Sequence, residues 1–252
     1  EGLAAIQVIH ELGHWLAAAR YGVKLSAPVV IPSLQLGAFG SITSFLSYPK
    51  NRVEMFDVAV AGPLLGFVAS LAALIAGLVM TGSATQEMVS LFPVLPGSTF
   101  SSSALVGGIT SVLLPSVMGL SDTAAVSVHP LTVVGLTGLL VNALNFMPVG
   151  RIDGGRASTC VLGRPSATII GSVILLLQAL SGLAGDSPIQ LFWGITILCF
   201  QRSQEIPCND EVTELDDGRV ALFGVLLVLT MLCLFPVPSE FFAAGTPDPF
   251  RL

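Results

Sequence analysis

"VIHELGHWLA", residues 8–17, decides how this chain is read. Two histidines and a glutamate sit there among Val, Ile, Leu, Ala and Trp, inside a run (2–20) that otherwise has the composition of a membrane helix. His10 and His14 are at i and i+4, so on a helix they share one face, about one turn apart. Two imidazoles at that separation can bind one zinc ion. Glu11, next to the first of them, then faces the open coordination position, where it can take a proton from a bound water. Ionisable residues at bilayer depth cost about 2.5–3.5 kcal/mol each on insertion scales and rarely sit there without a function. Three of them at ligand spacing point to a site rather than to a chance pattern.

The remaining composition fits a membrane setting. Of 252 residues, 53% are hydrophobic and only 10% charged, where a soluble domain carries about 25% charge. The mean hydropathy is +0.85. A span needs roughly 20 apolar residues, and the candidates are 2–20, 56–80, 130–149, 167–185 and 219–236, with the shorter 190–201 completing a hairpin with the segment before it. The net charge of −6 has no basic patch behind it, which argues against nucleic acid as a partner. Much of the acid lies in "NDEVTELDDGR" (209–219), which reads as a solvated loop between spans. Cys160, Cys199, Cys208 and Cys233 form no CxxC pair and no metal-ligand spacing. The chain starts at Glu1 and enters an apolar run at once, so an N-terminal region is expected to be missing from it.

Lys and Arg orient the spans. Arg20, Lys24, Lys50 and Arg52 lie between the first two, Arg151, Arg156 and Arg164 follow the 130–149 span, and 81–128 contains neither residue type. This puts 21–55 and 150–166 on one face and 81–128 on the other. The apolar 104–120, broken by Gly107, Gly108 and Pro115, must then be a re-entrant or surface helix rather than a single span. Between the first two spans, "LGAFGSITSFLSYP" (36–49) has neither helical period nor charge. With Phe39, Ile42, Phe45 and Tyr48 among Gly and Ser, it reads as a short hairpin dipping toward the membrane, covered by protein or lying at the interface.

Catalytic zinc usually has three protein ligands and a water. The candidates for the third are His129, Glu54, Asp57 and Asp153. His129 and Asp153 flank a helix of about 20 residues, roughly 30 Å long, so they cannot both serve. His14 lies six residues before Arg20, about 9 Å of helix from the charged face. Asp153, between Arg151 and Arg156, belongs to that face, and His129 belongs to the opposite one. Geometry therefore selects Asp153, and leaves His129, next to Pro130, to open its span. Within "NALNFMPVGRIDGGR" (142–156), Pro148 ends the regular helix, and Gly150, Gly154 and Gly155 permit the sharp backbone that folds Asp153 back toward the metal. Asn142 and Asn145, three apart, share a helix face and can hydrogen-bond a bound peptide backbone or the groups around the metal.

With "HELGH" (10–14), "AGPLLG" (61–66) and "NFMPVGRIDGG" (145–155) in this order, the chain resembles the site-2 protease family of intramembrane zinc metalloproteases. The three elements cover roughly residues 1–160. The form "PVGRIDGGRA" and the stretch "CFQRSQEIPCNDEVTELDD" (199–217) are most similar to the plastid and cyanobacterial branch, the ethylene-dependent gravitropism-deficient and yellow-green type proteins. The resemblance implies His10, His14 and Asp153 as ligands of one zinc ion, Glu11 as catalytic base and Asn145 as an active-site polar residue. The position after the AGP element that is often Asn in relatives is Gly66 here, which puts a polar contact from that helix in question.

The implied fold is an all-α polytopic membrane protein with a site-2-protease-like helical core and a short re-entrant β-hairpin between the first two spans. Its catalytic core is expected over 1–166, followed by C-terminal transmembrane helices over 167–252 with an acidic loop at 203–218. The implied function is hydrolysis of peptide bonds in or next to transmembrane segments of a membrane-protein substrate, in a chloroplast membrane or, in a prokaryote, a cyanobacterial one. The 36–49 hairpin reads equally as an edge that pairs with an extended substrate strand and as a simple connector. Two other readings compete: a non-catalytic zinc-binding membrane scaffold, and a membrane zinc peptidase acting on solvent-exposed tails, which would usually take Glu or His as its third ligand. Neither the substrate's identity nor an oligomeric state can be read from these motifs.

Overall fold

The computed structural model describes residues 1–33, 37–118, 120–184, 188–201, 203 and 205–236. Within these, helix α1 (Gly2–Tyr21) is followed by strands β1 (Val29–Ser33) and β2 (Gly37–Ile42) and the long helix α2 (Arg52–Gly82). A stretch of short elements follows: α3 (Gln86–Val89), β3 (Val94–Pro96), α4 (Ser98–Ser101), α5 (Ala104–Leu113), α6 (Pro115–Met118) and β4 (Ala125–Ser127). The chain then forms α7 (Pro130–Asn145), α8 (Asp153–Leu162), α9 (Arg164–Ala184), α10 (Pro188–Phe200) and α11 (Asp217–Leu234).

The helix ends follow local chemistry. α1 stops at Gly22, whose φ of 68° closes the last turn and lets its N–H reach the carbonyls of Ala18 and Ala19. Asn51 caps α2 by accepting the N–H of Glu54. His129 caps α7 through the N–H of Leu131, and Pro130 supplies a first residue that needs no donor. α2 is the axis of the molecule and packs against α1, α7 and α8. Phe56, Leu74, Leu78, Leu139, Phe146 and Ala157 are fully buried along it. α9 packs against α10 and α8, and its outer row Ile169, Val173, Leu176, Leu180 and Leu183 remains exposed. A row of that size fits lipid better than water.

Among the described residues, three helices are long and apolar enough to cross a membrane: Arg52–Gly82, Arg164–Leu183 and Asp217–Leu234. α1 has 20 residues, about 30 Å, but its ionisable groups lower its hydropathy. α5 has only 10 residues, roughly 15 Å, and gives way to α6 at Pro115, so 104–118 forms two short pieces.

Three features differ from the sequence reading. The hairpin lies earlier than 36–49: β2 falls in that stretch, but its partner is Val29–Ser33, with Val29 opposite Ile42 and Ile31 opposite Gly40. The β-branched run Val29–Val30–Ile31 favours the extended strand, and Pro32, which has no N–H, coincides with a register shift. Residues 43–49 form the return, held by a bridge between Leu25 and Phe45; residues 34–36 lie outside the described set. Second, a β3–β4 pair joins Val94–Pro96 to Ala125–Ser127, so the chain is mostly rather than wholly helical. Third, the acidic stretch is docked at its start. Asn209 and Asp210 donate their N–H groups to the carbonyls of Pro49 and Lys50, and Arg164 pairs with Glu211. The acids there meet cations brought from elsewhere in the chain, and exposure returns over 212–214 and 216–218. Part of the expected C-terminal region, including 237–252 and residue 204 of the loop, lies outside the described residues.

Candidate metal centre

α1 presents His10 and His14, and the first residue of α8 is Asp153. Their ligand atoms converge. The two Nε2 atoms are 3.0 Å apart, and Asp153 Oδ2 lies 3.2 Å from that of His10 and 3.4 Å from that of His14. A regular tetrahedron around zinc with bonds of about 2.0–2.1 Å has edges of roughly 3.3–3.4 Å. The observed triangle therefore has the dimensions of three corners of a zinc site. His10, His14 and Asp153 are 0%, 3% and 6% exposed, and they are the metal-capable cluster found among the described residues.

The groups behind the ligands fix which nitrogen carries a proton. His14 Nδ1 lies 2.7 Å from the carbonyl oxygen of Val58, which can only accept, so Nδ1 donates and a neutral ring turns its Nε2 lone pair to the cluster. His10 Nδ1 is 2.8 Å from Asn142 Oδ1. Asn142 is oriented in turn by donating its amide to the carbonyl of Gly138 at 2.9 Å. Both rings thus donate from Nδ1 and turn Nε2 toward the cluster. Asn142 is fully buried and sits behind His10.

Close helix approach makes this possible. A Cβ on Gly62 would lie 2.2 Å from His14 Nε2, and one on Gly13 would lie 2.4 Å from the Ala61 carbonyl oxygen. The AGP element is therefore where α2 comes against α1 with no side chain between, leaving room for the imidazole. At Gly66 a Cβ would fall 2.0 Å from Asn142 Oδ1. The space beside Gly66 is filled by the amide of Asn142 from α7.

Glu11 is half-buried. Ser41 donates its hydroxyl to Glu11 Oε1 at 2.5 Å, and Thr43 donates to Oε2 at 2.6 Å. The hairpin thereby orients the carboxylate, a role no local sequence signal reveals. Asn145 is 5% exposed, and its Nδ2 has no partner among the described residues. It lines a small crevice with Ser41, Thr43, Asp153 and Arg156, under Gly40, where a Cβ would lie 2.3 Å from that nitrogen. The other candidate ligands are engaged elsewhere: His129 caps α7, Glu54 accepts the N–H of Lys50, and Asp57 accepts from Tyr21 and Arg219. A groove of about 540 Å³ runs between α1 and the hairpin, with Leu3, Val8 and Trp15 as apolar walls and Gln7, Glu11 and Ser41 as polar ones.

Residues 2–182 match the model of peptidase family M50. The chain belongs to that family. Its similarity to curated relatives runs over almost all of its length. It is 38% identical over 241 residues to "Probable zinc metalloprotease EGY1, chloroplastic" of Arabidopsis thaliana, covering 95% of this chain and 42% of that one. It is 35% identical to "Probable zinc metalloprotease EGY2, chloroplastic" of the same plant, covering 94% and 41%. The M50 chain thus spans about two fifths of the length of the curated relatives it matches. Among solved structures it is similar to a site-2 protease from Methanocaldococcus jannaschii, at 20% identity and a TM-score of 0.48, over 86% of this chain and 80% of the other.

Proposed function

We propose that this M50 chain is the catalytic membrane region of a zinc metalloprotease that hydrolyses peptide bonds within or beside transmembrane segments of other proteins, in a chloroplast membrane. The observation that carries the reading is the triangle of two imidazole nitrogens and one carboxylate oxygen, beside an oriented glutamate, on apolar helices. The chloroplast setting rests on the relatives' names. In this reading 1–166 is the catalytic core, with the Lys/Arg-bearing segments on one face of a polytopic bundle, and 167–252 supplies further membrane helices.

Zinc held by His10, His14 and Asp153 would supply Lewis acidity, polarising the scissile carbonyl and making water a nucleophile near neutral pH. Val58 and Asn142 hold both rings in the ligating tautomer. Glu11, steadied by Ser41 and Thr43, takes the proton from the attacking water and returns it to the leaving amine. The free Nδ2 of Asn145 offers a donor to the substrate's peptide oxygen. A transmembrane substrate must be unwound before its backbone is available. The groove beside Glu11 has room for an extended segment, and the re-entrant hairpin offers strand edges with which it can pair.

The test is reconstitution with a single-span substrate. Wild type is expected to cleave, and Glu11→Gln to bind zinc equally while losing about 10²- to 10⁴-fold in rate. Equal cleavage by both would overturn the assignment, and zinc binding without cleavage by wild type would favour the scaffold reading. Proline substitutions across 39–46 should slow cleavage without loss of zinc if the hairpin pairs with substrate. Unchanged cleavage would leave it a connector.

A further inference from the structure

Asp153 gives only one oxygen to the histidines. Its Oδ1 lies 3.5 Å from Nη1 of Arg156, one turn further along α8. The opposite edge of that guanidinium is held by Glu205: Nε and Nη2 both lie 2.7 Å from Glu205 Oε2. The other Glu205 oxygen accepts the N–H of Ile206 at 2.9 Å. The Arg156 guanidinium carbon stands 5.1 Å from the centre of the Phe45 ring. Asp153, Arg156 and Glu205 are 6%, 5% and 7% exposed, so the guanidinium is largely shut off from water.

A buried arginine must be paired, and its planar fork suits bidentate capture of a carboxylate. Asp153 stands three residues before Arg156 on the same helix, within side-chain reach. Left alone, the guanidinium would swing onto Asp153 and take both its oxygens, including the one aimed at His10 and His14. We propose that Glu205 is a positioning residue that prevents this. By occupying the Nε–Nη2 edge it restricts Arg156 to a single long contact with Oδ1 and leaves Oδ2 for the metal.

The connection between α10 and α11 is built to hold Glu205 in place. Arg164 donates from Nη1 to the Glu205 carbonyl at 2.8 Å and from Nη2 to the Ile206 carbonyl at 3.1 Å, and the Arg151 N–H bonds the Gln201 carbonyl at 2.9 Å. Charge points the same way. One guanidinium between two carboxylates leaves that trio one unit negative, which favours a dication. The inference rests on the metal reading of the site.

The experiment titrates purified apoprotein in lipid nanodiscs with Co²⁺, following the visible ligand-field bands and the affinity in competition with a chelator. Thermal unfolding of each apoprotein reports folding. Glu205→Gln should weaken Co²⁺ binding about 10- to 100-fold and alter the bands, because Asp153 is drawn off the metal. Adding Arg156→Met to Glu205→Gln removes the capturing fork and should restore most of the affinity and the wild-type bands. A purely structural pair would give no such recovery in the bands. If Glu205→Gln does not fold, the double variant against wild type decides, with an affinity within about tenfold expected from the range such outer contacts govern. Wild-type affinity and bands in Glu205→Gln, or a double variant that binds no better than the single one, would overturn the proposal. A wild type that takes up no Co²⁺ would overturn the metal reading with it.

Discussion

Leu74 in α2 is fully buried, whereas Leu180 in α9 is 55% exposed, although both helices are long and apolar enough to cross a membrane. The difference lies in what surrounds them. Around the candidate metal centre, glycines at 13, 62 and 66 let α1, α2 and α7 approach until a single added Cβ would strike the Ala61 carbonyl, the His14 ring or the Asn142 amide. Along α9 most of the large side chains stay on the outside, and α10 buries Trp193 and Ile197 in a small cluster with Leu144, Met147 and Ile152. Hydropathy does not separate the two regions. The placement of small residues does, because without a hydrophobic drive between helices in lipid, close packing and polar contacts decide which faces meet.

The sharpest way to break this comparison is one methyl group in each region. Gly62→Ala puts a Cβ 2.2 Å from His14 Nε2, and zinc binding should be lost outright, read by metal content after purification. Gly194→Ala in α10, where a Cβ would meet only Gln178 Cγ at 4.0 Å, should keep its zinc and gain up to about 0.5–1 kcal/mol of stability from helix propensity. Equal zinc content in both would break the claim that tight packing builds the site. Asn142→Ala comes next. It leaves His10 Nδ1 without its acceptor and should lower zinc affinity about 10- to 100-fold in chelator competition.

Packing alone gives a smaller contrast. Leu74→Ala should cost about 2–5 kcal/mol, while Leu180→Ala should stay within about 0.5 kcal/mol, measured by reversible unfolding in the same bilayer mimic. The smallest effect belongs to the docked acidic stretch. The Arg164 guanidinium, aided by the Cys208 N–H, holds the Glu211 carboxyl below its usual pKa. A depressed value means that this attachment stabilises the fold above the unfolded carboxylate's pKa and is lost as pH falls through the folded one. Proteolysis of 205–216 should therefore be unchanged from pH 8 to 6 and rise only in acid. Glu211→Gln should abolish that acid dependence at a cost of about 1 kcal/mol or less for so exposed a pair.

The sequence by itself determined the parts of this protein that depend on neighbours along one helix or on bulk composition. Four-residue spacing puts His10 and His14 on one face whatever else the chain does. Low charge and long apolar runs set the membrane class, and Arg151 and Arg156 mark the end of the molecule where Asp153 lies. The hairpin is half legible: β2 lies in the stretch that lacks helical period, while the structure alone assigns Val29–Ser33 as its partner strand.

Only the tertiary structure decided what Asn142 and Asn145 each do, since two asparagines three apart look alike until one meets His10 across 132 residues and the other meets only a crevice. The same holds for Ser41 and Thr43 on Glu11, and for Glu205 on Arg156 across 49 residues. These are contacts of short polar groups between distant segments. Their energy comes from burial and orientation, and neither exists until the helices have closed around them.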